Sequence, residues 1–498
     1  MKYASMRSNP DKYFSRRDVI ILAVAVILSL AIYLAACAIS YRVGFPLDDS
    51  WIHQTYARNL ALRGEWSFIP GQPSAGSTAP LWTALLSIGF LIQLSPYIWT
   101  FLLGSLLLFG ISLLAEKIVR GIVPGYKPFL PWAGLVFILE WHMAWAAFSG
   151  METILHIFLI LLVMNILLND ARNYLAAGMV VGVSIWVRPD GLTLLGPLAL
   201  AVFLMKASPA ARLKTLLLLV LGFGIFFLPY LLFNLVISGT PMPNTFYAKQ
   251  AEYIAWQYSP FGERLLFWAL QFFQGLGFVL IPGFIQQVIL AVRQRSWGVL
   301  LAAAWTIGYI LLYLLRLPVY QHGRYYMPAM SVFLLLGFSG FLQSIPLPHT
   351  HRTRLVRQAS IVILSVILMI SSTFGVYTYM QDVVYIESQM VDTATWVAQN
   401  VPPDALIAAH DIGALGYFDR HPLVDLAGLI SPDVISFITD ESRLTDYMDS
   451  RNVQYLVAFS GWRPALTARG TQVFTADNEH NNARTGLGSM SVYRWNQP

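Results

Sequence analysis

Long apolar segments separated by short polar loops make up the first three quarters of the chain. The segments 19–40, 216–238 and 361–377 contain no charged side chain. An apolar helix of about 20 residues is long enough to cross a hydrocarbon core about 30 Å thick. This pattern predicts a polytopic α-helical membrane protein, which has the lipid bilayer as a partner.

Composition agrees with that prediction. The 498 residues are 56% hydrophobic and only 12% charged, and the mean hydropathy is +0.58. Soluble proteins carry a charged fraction of about 25%. The lone cysteine, Cys37, lies in the first apolar segment, so no disulfide can form within the chain.

The apolar segments predict eleven crossings. The first is longer than a signal-peptide core and has no small-residue cleavage site after it, so we predict that it remains a membrane span. Segment 80–95 is apolar but bounded by Pro80 and Pro96, and we predict a re-entrant or juxtamembrane hairpin there. The other spans are predicted near 97–119, 129–148, 153–168, 174–187, 191–205, 214–237, 264–291, 297–316, 326–344 and 358–377.

Basic residues are unevenly divided between the two sets of loops. The loops that this path places inside hold 17 of the 32 Lys and Arg residues, and the outer loops before residue 378 hold eight. Basic loops mark the cytoplasmic side. We therefore predict a multi-pass cell (plasma) membrane protein with a cytoplasmic N-terminus. Because these residues flank spans, the net charge of +6 does not indicate a nucleic-acid partner.

The composition of the chain changes at residue 378. From there on it holds 14 of the 26 Asp and Glu residues, and the apolar runs shorten to strand length, as at 405–409 and 455–459. Helical and strand-like segments alternate, which predicts a small C-terminal α/β domain on the extracytoplasmic side. The predicted domains are a transmembrane module over 1–377, with its first outer loop at 42–80, and an extracytoplasmic domain over 378–498.

The adjacent carboxylates Asp48 and Asp49 are the most informative polar motif. At a membrane exit each needs water, a cation or a hydrogen-bond donor to stay ionised, so packing does not explain them. We predict that one of them is a catalytic base. The alternative is that they are solvated or that they cap the following helix. Nearby candidates for acceptor contact or sugar stacking are Trp51, Trp82 and His53, although tryptophans more often form an interfacial belt.

Four later polar motifs fall on the same predicted face, which a shared outward-facing cavity would explain. A structural alternative exists for each: a helix dipole favours Glu152 at a helix start, Arg188 and Asp190 could pair, and the others could be interfacial anchors. Whether a divalent cation, Mg²⁺ or Mn²⁺, takes part stays open. The candidates for binding donor phosphate or sugar are Glu152, Arg188, Asp190, Asn244, Tyr247, Lys249, His322 and Arg324.

Several common catalytic signatures are missing from the sequence. We find no metal-ligand spacing, no phosphate-binding Gly-rich loop, no nucleophile elbow and no dinucleotide fingerprint. Nucleotide sugars and ATP are not expected on the outer face. An outward-facing enzyme would therefore take its activated donor from the membrane, where a lipid phosphate is the natural carrier.

These motifs resemble those of a known family. Asp48-Asp49-Ser50-Trp51-Ile52, followed by Gly76-Ser77-Thr78-Ala79-Pro80-Leu81-Trp82, resembles the first outer loop of GT-C glycosyltransferases, in particular the group of the mycobacterial terminal arabinofuranosyltransferase. The motifs at 149–153, 188–191, 243–249, 322–325, 411–417 and 424–429 resemble later motifs of that group, in the same order. The resemblance implies a GT-C-like fold and a polyprenyl-phosphate-linked sugar donor.

The predicted function is glycosyl transfer. The sugar, arabinofuranose or another pentose or hexose, would pass from a polyprenyl phosphate to a hydroxyl of a glycan, lipid or protein acceptor on the outer face. Two alternatives stay open: a transporter or flippase for lipid-linked sugars, and a glycan polymerase or ligase that uses a lipid-diphosphate donor. A transporter predicts internal repeats and intramembrane charges in both halves, whereas the sequence shows no repeat and its charged motifs gather on one face.

Overall fold

A computed structural model describes residues 15–169, 173–319, 321–345, 350–476 and 488–496. Most of the N-terminal basic segment used above to orient the chain lies outside these residues. The helices of the membrane module are α1 (Arg16–Ser40), α2 (Asp49–Arg63), α3 (Pro80–Leu91), α4 (Pro96–Ile122), α5 (Trp132–Leu139), α6 (Trp141–Phe148), α7 (Thr153–Leu168), α8 (Tyr174–Ile185), α9 (Leu195–Leu204), α10 (Pro209–Ser238), α11 (Asn244–Glu252), α12 (Phe261–Phe272), α13 (Leu276–Gln294), α14 (Trp297–Arg316), α15 (Met327–Ser344) and α16 (His351–Tyr385).

The predicted membrane protein is confirmed. Within the described ranges, seven helices are long and apolar enough to cross a membrane: α1, α4, α10, α13, α14, α15, and α16 with its continuation. Shorter apolar helices, among them α3, α7 and α8, accompany them. At 12 residues, α3 is about 18 Å long, which is shorter than the hydrocarbon core.

Two predicted single spans are each broken into two helices. The span at 129–148 divides at Glu140, whose extended backbone (ψ 120°) ends α5 and whose side chain accepts from the Met143 amide to cap α6. The span at 264–291 divides at Gly275, whose φ of 77° ends the helical path between α12 and α13. An added Cβ at Gly275 would lie 2.4 Å from the Ser371 hydroxyl oxygen, so the break also allows close packing on α16.

Close helix packing builds the interior of the membrane module. Where α13 crosses α15, a Cβ added to Gly340 would lie 1.9 Å from the Gly283 carbonyl oxygen, so the two backbones touch. Small residues permit such approaches between membrane helices, where dispersion contacts drive association. As a result 78% of the residues of α15 are buried, whereas only 17% are buried in an apolar 18-residue stretch of α10, which presents its apolar side chains outward.

The first outer loop folds onto the membrane module. Helix α2 begins directly after a short connection from α1, and a two-stranded hairpin follows, formed by β1 (Ser67–Ile69) and β2 (Gln72–Pro73). Helix α2 then packs against α3. Nine residues of α2 are buried although its composition is polar, because it lies between the membrane module and the C-terminal domain.

The predicted boundary at residue 378 falls inside a continuous helix. No proline or glycine interrupts residues 376–391, and α16 runs on through a π-helical turn at Ile386–Val391 into α17 (Asp392–Asn400). The 35 residues of α16 span about 52 Å, which exceeds the thickness of the hydrocarbon core. The C-terminal domain is therefore joined to the membrane module by a continuous helix.

The C-terminal domain is α/β, as predicted. Its elements are β3 (Ile407–Ala409), α18 (Gly413–Phe418), β4 (Leu423–Asp425), α19 (Glu441–Ser450), β5 (Tyr455–Phe459), α20 (Pro464–Arg469), β6 (Gly470–Thr475) and β7 (Met490–Trp495). The strands form a five-stranded mixed sheet in the order β4-β3-β5-β7-β6; β3 is parallel to β4 and β5, and β7 is antiparallel to β5 and β6. The predicted strands at 405–409 and 455–459 correspond to β3 and β5.

Candidate active site

The ends of several helices surround one cavity of about 760 Å³. The start of α2, the start of α7, the turn after α8, helix α11, the end of α14 and the loop before α15 all contribute side chains to its wall. The polar and charged residues that line it and were predicted as site residues are Asp49, His53, Glu152, Arg188, Asp190, Lys249 and Arg324.

Asp49 lies against two cations at the cavity wall. Its Oδ2 accepts from Arg324 Nη2 at 3.1 Å and lies 4.0 Å from Lys249 Nζ. The Asp49 side chain is 34% exposed, so it can reach a ligand in the cavity. Burial by itself would raise the pKa of Asp49, but Lys249 and Arg324 lower that pKa below its usual value. Asp49 is therefore ionised at neutral pH.

Asp48 has a different environment from its neighbour. Its two carboxylate oxygens accept from the backbone amides of Gly413 and Ala414, both at 2.7 Å, at the start of α18. The side chain does not line the large cavity. Burial and the charge of Asp411 raise the pKa of Asp48 to about 7, although the two amides act in the opposite direction. Asp48 thus connects the first outer loop to the C-terminal domain.

Tyr325 joins the cations of the cavity into one cluster. Its hydroxyl accepts from Lys249 Nζ at 2.5 Å and from Arg324 Nη2 at 3.3 Å, and the Arg188 guanidinium lies 4.8 Å from its ring centre. Burial opposes ionisation of this phenol, but Lys249, Arg324 and Arg188 together lower its pKa to about 8. The cluster concentrates three positive charges at one wall.

A second network of the same cavity shares Arg188 with this cluster. Arg188 donates to Glu152 Oε1 at 3.2 Å and to both carboxylate oxygens of Asp190 at 3.2 Å, so the pairing considered as an alternative does occur. His53 Nε2 lies 3.5 Å from Glu152 Oε2. Burial would raise the pKa of Glu152, but His53, Arg324 and Arg188 hold it well below its usual value. Tyr313 donates to Asp190 at 2.6 Å and completes the network.

Besides Asp48, five of the predicted site residues do not line the cavity. The indoles of Trp51 and Trp82 are 0% and 1% exposed; Trp51 packs against Tyr417 and Phe418, and Trp82 donates to the Gly150 carbonyl. Neither indole is placed to stack on a sugar in this structure. The other three are His322, which pairs with Asp382 at 2.7 Å, Asn244, which donates to the Leu429 carbonyl, and Tyr247, whose ring packs on Phe246.

The donor set of the cavity does not suit a divalent cation. In the described part of the chain, no group of three His, Cys, Asp or Glu side chains converges in a way that could hold a metal ion. The cavity carboxylates Asp49, Glu152 and Asp190 each lie within 3.2 Å of an arginine nitrogen, which already offsets their charge.

Several residues of these networks had no separate signal in the sequence. Tyr309 and Tyr313 occur one turn apart in an apolar helix, a pattern that also fits an interfacial belt, yet both donate to Asp190. Tyr325 occurs within a noted motif but had no predicted role. The backbone amides of Gly413 and Ala414 bind Asp48, and a backbone contact of this kind cannot be predicted from side-chain identity. Only the Gly-rich stretch around them could have indicated that another segment packs closely there.

Solved structures with the same architecture belong to one class of membrane enzyme. ArnT from Cupriavidus metallidurans, bound to undecaprenyl phosphate, is 14% identical with a TM-score of 0.60, over 96% of this chain and 98% of that one. Archaeal AglB from Archaeoglobus fulgidus, in complex with an inhibitory peptide and a dolichol-phosphate, is 13% identical with a TM-score of 0.57, over 97% and 75%. Mycobacterial arabinofuranosyltransferase AftD (mutant R1389S) is 16% identical with a TM-score of 0.53, over 98% of this chain but 42% of its own length.

This chain therefore has the fold of the GT-C glycosyltransferases, as its motifs predicted. A family model described as a domain of unknown function (DUF8728) matches residues 380–493, which fall in the C-terminal domain. No curated protein sequence matches the chain. At these identities the structural likeness defines the fold, and the activity is argued below from the site.

Proposed function

We propose that this protein is a glycosyltransferase that moves a sugar from a polyprenyl phosphate to an acceptor hydroxyl on the outer face of the membrane. One observation carries the proposal: the ionised carboxylate of Asp49 lies beside Arg324 and Lys249 at the wall of a large cavity. Sugar transfer needs a proton acceptor close to a group that stabilises the departing phosphate. The cavity wall provides both groups: Asp49 as the proton acceptor, and Arg324 and Lys249 as the cations.

The cavity fits a lipid phosphate. Arg324, Lys249 and Arg188 provide charge-assisted donors for the phosphate oxygens. The cavity is also lined by the apolar residues Leu192 and Phe246, each 41% exposed, past which a prenyl chain can leave toward the bilayer. Undecaprenyl phosphate in ArnT and dolichol-phosphate in AglB, two proteins of this fold, support the same class of donor.

The transfer is a displacement at the anomeric carbon. The acceptor oxygen forms a bond to that carbon, and the bond from the carbon to the phosphate oxygen breaks. The phosphate leaves with the electron pair, and the acceptor proton passes to a carboxylate within hydrogen-bond reach. Charge grows on the phosphate as it leaves, and Arg324 and Lys249 are placed to stabilise it.

Asp49 is the better candidate for the proton acceptor. Both oxygens of Asp48 already accept backbone amide protons, and its side chain does not line the large cavity. Asp49 has one carboxylate oxygen, Oδ1, outside its contacts with Arg324 and Lys249. That oxygen can accept the proton while Oδ2 keeps the side chain oriented.

Glu152 and His53 are placed to hold the sugar of the donor. Both line the cavity, and their polar atoms lie 3.5 Å apart. A buried carboxylate of this kind accepts hydrogen bonds from sugar hydroxyls, and the ring of His53 supplies a second polar contact. Arg188 keeps Glu152 ionised and in position.

The orientation of the chain is part of the proposal. The asymmetry of basic residues supports a cytoplasmic N-terminus, so the cavity and the C-terminal domain would lie on the extracytoplasmic side. The sugar would be a pentose or a hexose. Arabinofuranose is the first to test, because AftD shares the fold.

The proposal is tested with the full chain in lipid nanodiscs. The protein is incubated with synthetic polyprenyl phosphates that carry different pentoses and hexoses, and with neutral glycosides as acceptors. We expect free polyprenyl phosphate and a glycosylated product to appear together with one of these donors. Intact donors after incubation with the whole panel, or donor that crosses the bilayer without cleavage, would overturn the proposal.

A further inference from the structure

Three consecutive residues before Arg324 have a left-handed backbone. Gln321, His322 and Gly323 have φ values of 51°, 56° and 69°, and no other run of this kind occurs in the described part of the chain. Glycine adopts this conformation freely, whereas the Cβ of other residues makes it unfavourable. A strained segment of this kind persists only where the surrounding structure holds it. The turn leads directly into Arg324 and Tyr325, which line the large cavity.

One hydrogen bond attaches this turn to helix α16. Nε2 of His322 lies 2.7 Å from Oδ2 of Asp382, and because the carboxylate accepts, the imidazole is the donor. The indole of Trp145, which is fully buried, donates to the same carboxylate oxygen at 3.0 Å. His322 and Asp382 are only 22% and 19% exposed, and a hydrogen bond shielded from water is stronger than an exposed one.

Two indoles enclose the imidazole ring of His322. The ring centres of Trp141 and Trp145 lie 5.5 and 5.4 Å from it, with the rings inclined at 71° and 73°. The two tryptophans are four residues apart in α6, so they lie on one face of that helix. Helix α6 is separate from α5 because the chain breaks at Glu140. The break therefore gives the two indoles a helix of their own, against which His322 packs.

Backbone hydrogen bonds connect the turn to the cavity residues that follow it. The amide of Arg324 donates to the Gln321 carbonyl at 3.1 Å, and the amide of Tyr326 donates to the Gly323 carbonyl at 2.7 Å. The backbone from residue 321 to residue 326 is thus one compact unit. A displacement of the turn would move Arg324 and Tyr325 with it.

We propose that His322 is a positioning residue: through Asp382 it holds the left-handed turn and thereby keeps Arg324 and Tyr325 at the cavity wall beside Asp49. His322 does not line the cavity, so it acts through these residues and not as a ligand of the donor. The consequence for donor binding rests on the proposed function, whereas the positioning itself can be measured without a donor.

The ionisation of Tyr325 reports this positioning. Burial opposes its ionisation, but Lys249, Arg324 and Arg188 lower its pKa to about 8. A displaced turn would separate the phenol from these cations, so its pKa should rise to about 10, the usual value, or above. The full chain in nanodiscs, labelled with ¹³C at the tyrosine Cζ atoms, is titrated by NMR. The resonance that disappears in Tyr325→Phe is assigned to Tyr325.

His322→Gly and Asp382→Ala are the test variants. Glycine tolerates the left-handed backbone, so His322→Gly can fold while it loses the side chain that holds the turn. In both variants the pKa of Tyr325 should rise to about 10 or above. The double variant should match the single ones, because each removes the same contact. His322→Gln, whose amide can donate to Asp382, should stay closer to wild type. His351→Gly, at an exposed position, should titrate as wild type does.

The outcomes separate this proposal from the proposed function. A Tyr325 pKa that stays at about 8 in His322→Gly or in Asp382→Ala, or a larger rise in the double variant than in either single one, would overturn the positioning role. The affinity for polyprenyl phosphate is measured in the same variants and should fall by up to about tenfold, because Arg324 is displaced but not removed. If the pKa of Tyr325 rises as expected and this affinity does not change, the positioning role stands and the proposed phosphate site fails.

Discussion

Oδ2 of Asp49 lies 3.1 Å from Nη2 of Arg324, although the two residues are 275 positions apart in the chain. Arg324 is 1% exposed, so this contact fixes the carboxylate at the edge of the cavity from a buried anchor. The pair connects the start of the first outer loop to the loop before α15. A candidate base, Asp49, and a candidate phosphate-binding residue, Arg324, are therefore in direct contact.

The Asp49→Asn variant tests the proton acceptor. An amide keeps the size of the side chain but cannot take a proton at neutral pH, so the transfer rate should fall by a factor of about 10² to 10⁴. The rate is measured in single turnover with a bound polyprenyl-phosphate sugar. Asp433→Asn, at a side chain 69% exposed in the C-terminal domain, should keep the wild-type rate. Near-normal turnover in Asp49→Asn would remove this residue from the chemical step.

Lys249→Ala and Arg324→Ala test the phosphate site. Each substitution removes a charged donor, and hydrogen bonds to charged groups contribute about 1.5–3 kcal/mol, so donor affinity should fall by roughly 10- to 100-fold. The measurement is the dissociation constant of the polyprenyl phosphate itself, without its sugar. Arg293→Ala, at an exposed position near the end of α13, is the control. Unchanged affinity in both cavity variants would place the phosphate elsewhere.

Gly413→Ala tests the connection between Asp48 and the C-terminal domain. A Cβ at this position would lie 2.1 Å from the Asp48 carbonyl oxygen, so the loop would have to move and break the amide contacts. We expect a loss of about 1–3 kcal/mol in the free energy of unfolding. Gly262→Ala, where an added Cβ meets no atom within 4 Å, should not be destabilised. Equal stability of the two variants would contradict the contact.

The charge of His410 predicts a dependence of stability on pH. Burial disfavours the charged form of this imidazole, but Asp411 and Glu252 face it and hold its pKa above the usual value. The stabilising effect of His410 is therefore complete below its unfolded pKa of about 6.5. The effect declines as the pH rises above that value and disappears above the native pKa. The gap in unfolding temperature between wild type and His410→Asn should therefore be widest near pH 6 and narrow toward alkaline pH. His351→Asn, at an exposed position, should show no such trend, and a gap that widens with pH would refute the assignment.

Sequence patterns predicted the fold class well because hydrophobic length is a direct physical signal. Apolar runs long enough for a bilayer became α1, α10 and α16, and short apolar runs became strands of the C-terminal sheet. The helix breaks at Glu140 and Gly275 were missed. Both residues lie within segments that are apolar enough for a single span, so the hydropathy of these segments does not indicate that the helix is broken.

The site could be predicted only in part. The sequence identified Asp48 and Asp49 as a pair but could not separate their environments, because neighbouring residues at a helix start point about 100° apart and their partners come from distant segments. Trp51 follows the same pair, yet it points into the core instead of the cavity. Tertiary packing decides which side chains face a ligand, and no local pattern encodes it.

The most direct test of the central claim is an experimental structure of the protein in a bilayer with a bound polyprenyl phosphate. We predict that the phosphate lies within hydrogen-bond distance of Arg324 and Lys249, beside the carboxylate of Asp49, with the prenyl chain leaving past Leu192 and Phe246. A phosphate bound outside this cavity, with Asp49 still held by Arg324, would contradict the account.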